Sequence, residues 1–504
     1  MHYKSTRNSS VRVSASQAIA QGISVEGGLF VPETFPSYSH ADFLELAKCS
    51  YTERAARILS VFLSDFTREE IDECVTAAYT NGKFEKDIPA PIVPLKNGMK
   101  MLELWHGSTC AFKDMALQLL PHLLTKSLKK IQSSKTALIL VATSGDTGKA
   151  ALEGFKDVDG TLIQVFYPQN GVSPMQKCQM CTQEGKNVAV CAIEGNFDDA
   201  QTGVKNIFTD PEIKSLLEQN GLMFSSANSI NWGRLLPQIV YYISAYCDLL
   251  ADGTMQSAEE KINIVVPTGN FGNILAAYYA KKMGLPVHKL ICASNANNVL
   301  TEFVNTGVYN RKREFHTTIS PSMDILVSSN LERLLYDLTG NDSEQIAHWM
   351  NELSENGIYQ IGETLLRSLR EQFYAGYCDD AETKKVIQSL YDTEHYLCDT
   401  HTAVAVNVYQ QYVKESKDTQ TAAVIVSTAS PYKFADSVLS AVSEDYSKDD
   451  SEFEKIQKLS ACTGTAVPTQ IADLQTKTVR FSTICSRENM KQIVLKTAKI
   501  QPQN

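Results

Sequence analysis

No apolar run in the 504-residue chain approaches the roughly 18–20 residues that cross a bilayer as a helix; the strongest, Ala137 to Ala142 and Ile262 to Pro267, are strand-sized. A transmembrane helix is therefore not expected. Positive charge is also scarce: 47 Lys and Arg stand against 57 Asp and Glu, a formal net charge of −10. That balance excludes a general nucleic-acid or membrane-surface binder, whose affinity needs a basic face. A small anionic ligand needs only a local positive site and stays open. The opening MHYKSTRNSSVRVSASQAIA lacks the apolar centre and cleavage pattern of a secretory leader, so a cytoplasmic protein is expected. The twelve cysteines are scattered, and reduced thiols are expected in a chain of this size. Only Cys178 and Cys181 form a CxxC, with no second pair or nearby His to close a tetrahedral zinc site, so no metal is expected.

What is present is an ordinary globular composition, 43 % hydrophobic and 21 % charged, long enough for several domains. Strand-like runs recur at Thr136 to Ala142, Thr161 to Tyr167, Val188 to Ile193, Ile262 to Pro267, Lys289 to Ala293 and Ala422 to Val426. They are continuous rather than alternating, the pattern of strands buried on both faces, and helical stretches separate them. An α/β architecture with mainly parallel sheet follows. Between about Asn330 and Tyr412 the spacing turns helical, as in Ser343 to Asn356 and Gly362 to Ala375, and predicts a helical insertion. The charge run EDYSKDDSEFEK after Ser443 marks a boundary before a C-terminal extension.

In open α/β sheets ligands bind beyond the carboxyl ends of strands, where following helices present free N–H groups. Three strand ends are polar in that way. INIVVP runs into Thr268, Gly269, Asn270, Phe271, Gly272 and Asn273 before the helical ILAAYYAKKMG, which reads as a phosphate cup. It is neither a Walker A loop nor a Rossmann GxGxxG. TALILVA runs into Thr143, Ser144, Gly145, Asp146, Thr147 and Gly148, where hydroxyls and amides suit a carboxylate. AAVIV ends in Ser427, Thr428, Ala429 and Ser430. Upstream, Lys113 lies among Ala111, Phe112, Met115 and Ala116. A lysine in such surroundings is costly to desolvate unless its pKa falls or it is neutralised covalently, as in a Schiff base.

The motifs HGSTCAFKD, ATSGDTG, SPMQ, EGNFDDAQ, SANSINWGR, PTGNFGN, MGLP, SPSMDI and STASPYKF, with YKSTR and GGLFVP at the start, resemble the threonine synthase family in this order. The resemblance runs from about Tyr3 to Phe434. It implies a fold-type II pyridoxal 5'-phosphate (PLP) enzyme: two parallel-rich open-sheet α/β domains with the cofactor in the cleft between them. It further implies that Lys113 bonds covalently to the cofactor and that Gly269, Asn270, Phe271, Gly272 and Asn273 hold its phosphate. Thr428 would meet the pyridine nitrogen, and Asp146 would face the ring hydroxyl. Ser144 and Thr147 would hold the substrate carboxylate, and Asn228, Ser229 and Arg234 its phosphate. For Arg234 there is a physical reason too, since a guanidinium fork fits phosphate oxygens. Ser108, Cys110, Asn8 and Thr400 depart from the family pattern without replacing these groups. His106 and His401 are expected to be structural.

The activity implied is conversion of O-phospho-L-homoserine and water to L-threonine and phosphate, the last step of threonine biosynthesis. Alternatives are a PLP-dependent phospholyase giving 2-oxobutyrate, or a PLP-binding homologue without turnover. A monomer or homodimer, with no nucleic-acid or membrane partner, is expected. The expected division is an N-terminal region at 1–95 and a domain carrying the lysine and substrate loops at 96–245. A cofactor-phosphate domain at 246–440, with the insertion at about 331–412, and an extension at 441–504 follow.

Overall fold

The continuous apolar runs become the centres of two sheets. In the computed structural model, every residue is described except Lys86, Asp87, Ser144, residues 501–504 and the side chain of Asp198. One sheet has the spatial order Ile484–Cys485, Val188–Ile193, Thr161–Pro168, Thr136–Ala142, Leu222–Ser225, and every neighbouring pair is parallel. The other runs Phe373–Tyr377, Val287–Ser294, Ile262–Pro267, Ala422–Ser427, Lys100–Glu103, Ile92–Pro94, and only its last pair is antiparallel. The central strand Ile262–Pro267 is buried at every position, as a strand covered by helices on both faces must be. The 20-residue helix Trp232–Ala251 is buried on nearly all sides and belongs to the core. No helix among the described residues is long and apolar enough to cross a membrane.

Three segments depart from the expected division. The stretch after Asn330 is not purely helical: Ile358–Gln360 pairs with Val308–Asn310, and Phe373–Tyr377 is an edge strand of the second sheet. FYAGY follows the helix Glu363–Gln372 without a break in apolar spacing, so its pairing with Leu290 to Ser294, not local preference, decides its state. Lys100–Glu103 pairs with Val424 to Ser427, which puts it in the sheet of the 268–273 loop. Ile484–Cys485, from the expected extension, adds an edge to the first sheet beside Ala192 and Ile193. At the N-terminus, Asn8–Val13, Tyr3–Ser5 and Phe30–Pro32 form a small antiparallel sheet. Its Tyr3 ring packs on Trp232 at the start of the long core helix.

One glycine ties this packing to the site. Gly154 lies in the helix Asp146–Phe155, and a Cβ there would fall 1.9 Å from the carbonyl oxygen of Leu117, at the end of the short helix that follows Lys113. Backbone cannot yield as a side-chain tip does. Gly154→Ala is expected to lower stability by about 1–3 kcal/mol, seen as a lower urea midpoint at unchanged slope.

Candidate active site

Five loops that follow parallel strands at their carboxyl ends carry the chemically interesting residues: 104–113, 143–148, 226–234, 268–273 and 428–430. The first and last are stitched together. Phe112 N–H donates to Thr428 O at 2.8 Å, and Ser430 N–H donates to Cys110 O at 3.0 Å. Cys110 adopts a left-handed φ of 57°, which turns the chain so that Lys113 begins a helix beside this strand end. Asp114 holds the turn from below, accepting from Thr109 N–H at 2.8 Å and Thr109 Oγ1 at 2.7 Å.

Lys113 is 9 % exposed. Its Nζ donates to Ser322 Oγ at 3.2 Å and lies 3.7 Å from Asp146 Oδ2. Burial pushes the Lys113 ammonium down to about 8, against the pull of Asp146 and with help from the nearby charges of Arg234 and Lys433. Asp146 in turn accepts from Lys433 Nζ at 2.8 Å and Gln176 Nε2 at 3.0 Å, with Ser322 Oγ at 3.4 Å. Burial alone would raise its carboxyl; Lys433 and Lys113 outweigh that and hold it well below the usual carboxylate range. The loop is shaped for this. Gly145 has φ 143°, and a Cβ there would meet the Gln176 amide at 2.3 Å, so only glycine admits the Gln176–Asp146 bond. Ser322 is fixed through its N–H, which donates to His401 Nε2 at 3.1 Å, while His401 Nδ1 and Asp399 Oδ1 are 2.9 Å apart.

The 268–273 loop is an anion cradle. Phe271 takes φ 61° just before the helix Gly272–Lys282, and among the described residues the N–H groups of 269–273 donate to no protein acceptor. Asn273 Oδ1 accepts from the hydroxyls of Tyr241 and Tyr242, which leaves its buried Nδ2 without a partner. A Cβ on Gly269 would stand 2.6 Å from Ser322 O, so this loop and the Ser322 turn close on one another. Asn330 closes the other side: its N–H and Nδ2 both donate to Asn270 O, and Nδ2 reaches Ser229 Oγ at 3.3 Å. The fully buried Arg333 orients Asn330, donating at 2.6 Å to its Oδ1.

Arg234 is 5 % exposed and donates to Ala227 O at 2.7 Å, yet it forms no ion pair among the described residues. Burial lowers its guanidinium to about 10. An arginine that merely closed a carboxylate pair would have an acidic partner, and among the described residues this one has none.

Of the residues expected from the sequence, Lys113 and Asp146 meet directly, and Thr428 lies behind them, 5 % exposed, its hydroxyl in no bond among the described residues. Ser229 borders the 269–273 loop, since its Cβ would be 3.8 Å from a Cβ on Gly272. Thr147 and Asn228 are half-buried at the same strand ends. Ser144 lies outside the described residues. Gln176, Ser322, His401 and Lys433 complete the cluster and were not among the expected site residues. The open N–H groups, the orphaned Asn273 amide, the depressed Lys113 amine and the neutral Thr428 hydroxyl fit PLP, a phosphate-bearing aldehyde.

The family model described as "Pyridoxal-phosphate dependent enzyme" matches residues 99–364. Fold and cleft thus define a PLP-dependent enzyme of the open α/β type. Residues 2–79 match "Threonine synthase N terminus" and residues 402–494 match "Threonine synthase, C-terminal". Threonine synthase of Saccharomyces cerevisiae is 36 % identical over 488 residues, covering 91 % of this chain and 93 % of its own. The PLP-bound threonine synthase structure from Brucella melitensis superposes with a TM-score of 0.87 at 35 % identity, covering 99 % of this chain and all of that one. The chain belongs to the threonine synthase family. Threonine synthase-like 1 of Homo sapiens is 41 % identical over 438 residues, 85 % of this chain, and the chain spans only 58 % of that relative's length.

Proposed function

We propose that this chain binds PLP through Lys113 and the 269–273 loop and converts O-phospho-L-homoserine and water to L-threonine and phosphate in the cytoplasm. The observation that carries this reading is Arg234, a buried guanidinium without a counter-anion, near enough to influence Lys113. A substrate whose only anion is its α-carboxylate would have no use for this second receptor. Bound PLP supplies an electron sink conjugated to the substrate nitrogen. The residues supply the rest. Thr147, with Ser144, holds the substrate carboxylate at the start of the helix Asp146–Phe155. Arg234, Ser229 and Asn228 hold the phosphate at the far end, so the carbon chain is stretched between two anchors across Lys113. Lys113 Nζ, neutral near pH 8, takes the proton from Cα and then one from Cβ. Arg234 stays on the phosphate as its bond to Cγ breaks, the two protons held by Lys113 go back at Cγ and Cα, and water leaves its hydroxyl at Cβ and its proton on the released phosphate. Thr428 would offer the pyridine nitrogen of the cofactor a neutral hydroxyl rather than a carboxylate.

The test is product analysis of the purified chain with PLP and O-phospho-L-homoserine. Threonine and phosphate in equal amounts support the reading. Phosphate with 2-oxobutyrate alone makes the chain a phospholyase. A visible cofactor band with no phosphate release makes it a PLP-binding homologue without turnover.

A further inference from the structure

Lys433 is completely buried, an unusual state for an ammonium. It sits in the short turn Pro431–Phe434 after the strand Ala422–Ser427 and makes two contacts, Asp146 Oδ1 at 2.8 Å and Thr109 O at 2.8 Å. Asp146 therefore has two lysines and one negative charge. A counterion for a buried carboxylate is needed once, so one of the two is surplus to that purpose. Lys433 is the closer and the more buried, and the other is the amine that must lose its proton to act.

We propose that Lys433 is a positioning residue for Lys113: it is the standing counterion of Asp146, so that Lys113 Nζ can become neutral without stranding a buried carboxylate. If Lys433 were absent, Lys113 would be the only cation within reach of Asp146, and the pair would hold the proton on Nζ. The charged and titratable groups around this pair come from several elements. Asp146, Lys433 and Arg234 act on Lys113; Asp114 and Cys110 lie near Lys433; Ser322 and, behind it, His401 border Nζ. Among the described residues, only Asp146 touches both lysines. The inference rests on Lys113 being the reacting amine.

Competitive acetylation of the cofactor-free chain across pH, read by mass spectrometry on the peptide containing Lys113, reports the midpoint of that amine directly. Lys433→Met is expected to raise the midpoint by about one pH unit or more, and Lys433→Arg to keep it near that of the parent. Asp146→Asn is expected to lower it, and adding Lys433→Met to Asp146→Asn is expected to raise it by well under one pH unit, the direct repulsion between the two lysines being all that is then lost. If Lys433→Met alone does not fold, the comparison of Asp146→Asn with that double variant, which loses one charge of each sign, decides the matter. An unchanged midpoint in Lys433→Met, or an equal upward shift with Asp146→Asn present, overturns the proposal and leaves Lys433 a pin for the Thr109 turn. Visible absorbance of the parent chain after adding PLP separates this from the functional reading: a parent without a cofactor band overturns that reading, whatever Lys433 does to the midpoint.

Discussion

Lys113→Met is expected to reduce phosphate release from O-phospho-L-homoserine by at least about 10³-fold and to abolish covalent retention of PLP. The size follows from the number of roles that converge on one nitrogen. Lys113 Nζ is the amine nearest Asp146 and Ser322 other than the buried Lys433, whose two contacts already occupy it. Among the described residues the other candidates are engaged: Asp146 pairs with Lys433, Asp114 faces away into the Thr109 turn, and His401 is committed to Ser322 and Asp399. The same substitution has a stability consequence of opposite sign. The Lys113 amine is held at about 8 in the folded chain against an ordinary value of 10.5. The unfolded chain thus binds more protons between those values, and folded stability rises as pH climbs from about 8 toward 10.5. Below about pH 8 both states are charged and the whole penalty is present. Lys113→Met removes it, so the inactive variant is expected to be more stable than the parent at pH 7 by about 1–3 kcal/mol, with the pH dependence in that window lost. PLP capture by the parent is expected to quicken with pH through about 8 and then level off, since about one-tenth of the amine is neutral at pH 7. Urea melts at pH 7 and 9.5 and the kinetics of cofactor uptake measure these effects. A Lys113→Met chain less stable than the parent at pH 7 would refute the buried-charge account.

That Lys113 can be singled out from sequence has a physical cause that also explains what escaped notice. An ammonium between apolar neighbours announces its own desolvation. PYKFA is the same signal, with Lys433 between Tyr432 and Phe434, but its partner Asp146 comes from the other sheet, far away in the chain, so nothing local shows what Lys433 balances. The strand ends were legible because each loop follows a continuous apolar run. Gln176 and Ser322 carry no such mark. Gln176 reads as the third residue of an ordinary capping box after Ser173, and Ser322 lies in a three-residue turn between a proline and a methionine. Their role exists only once the two sheets bring 146, 176, 322 and 433 together. Phe373–Tyr377 was lost for the same reason, since its strand character is conferred by a neighbour. Local sequence thus specifies the loops and the anion chemistry. Which distant residue balances which charge is decided by tertiary packing.

On the proposed function Arg234 is the complementary case, a charge for the substrate phosphate to balance. Arg234→Met is expected to lower kcat/KM for O-phospho-L-homoserine by about 10²–10³-fold, chiefly through KM, because one partner of a buried charged contact is removed. The free chain is expected to behave in the opposite way. Its guanidinium is buried, depressed to about 10, and among the described residues bonded only to Ala227 O. Removing it relieves an uncompensated charge at the cost of one hydrogen bond, a net gain of about 1–2 kcal/mol in folded stability. With PLP filling the 269–273 loop, millimolar inorganic phosphate should stabilise the parent by mass action and leave Arg234→Met where it was. Arg234→Lys should keep part of the phosphate response but not the catalytic efficiency, since an ammonium offers a point charge where the phosphate needs a fork. A structural arginine predicts the reverse order: Arg234→Met would then melt earlier, phosphate would stabilise both chains alike, and kcat/KM would fall only with the folded fraction. Thermal melts with and without phosphate, run beside steady-state kinetics, separate the two, and a Met variant that melts below the parent would remove Arg234 from the substrate site.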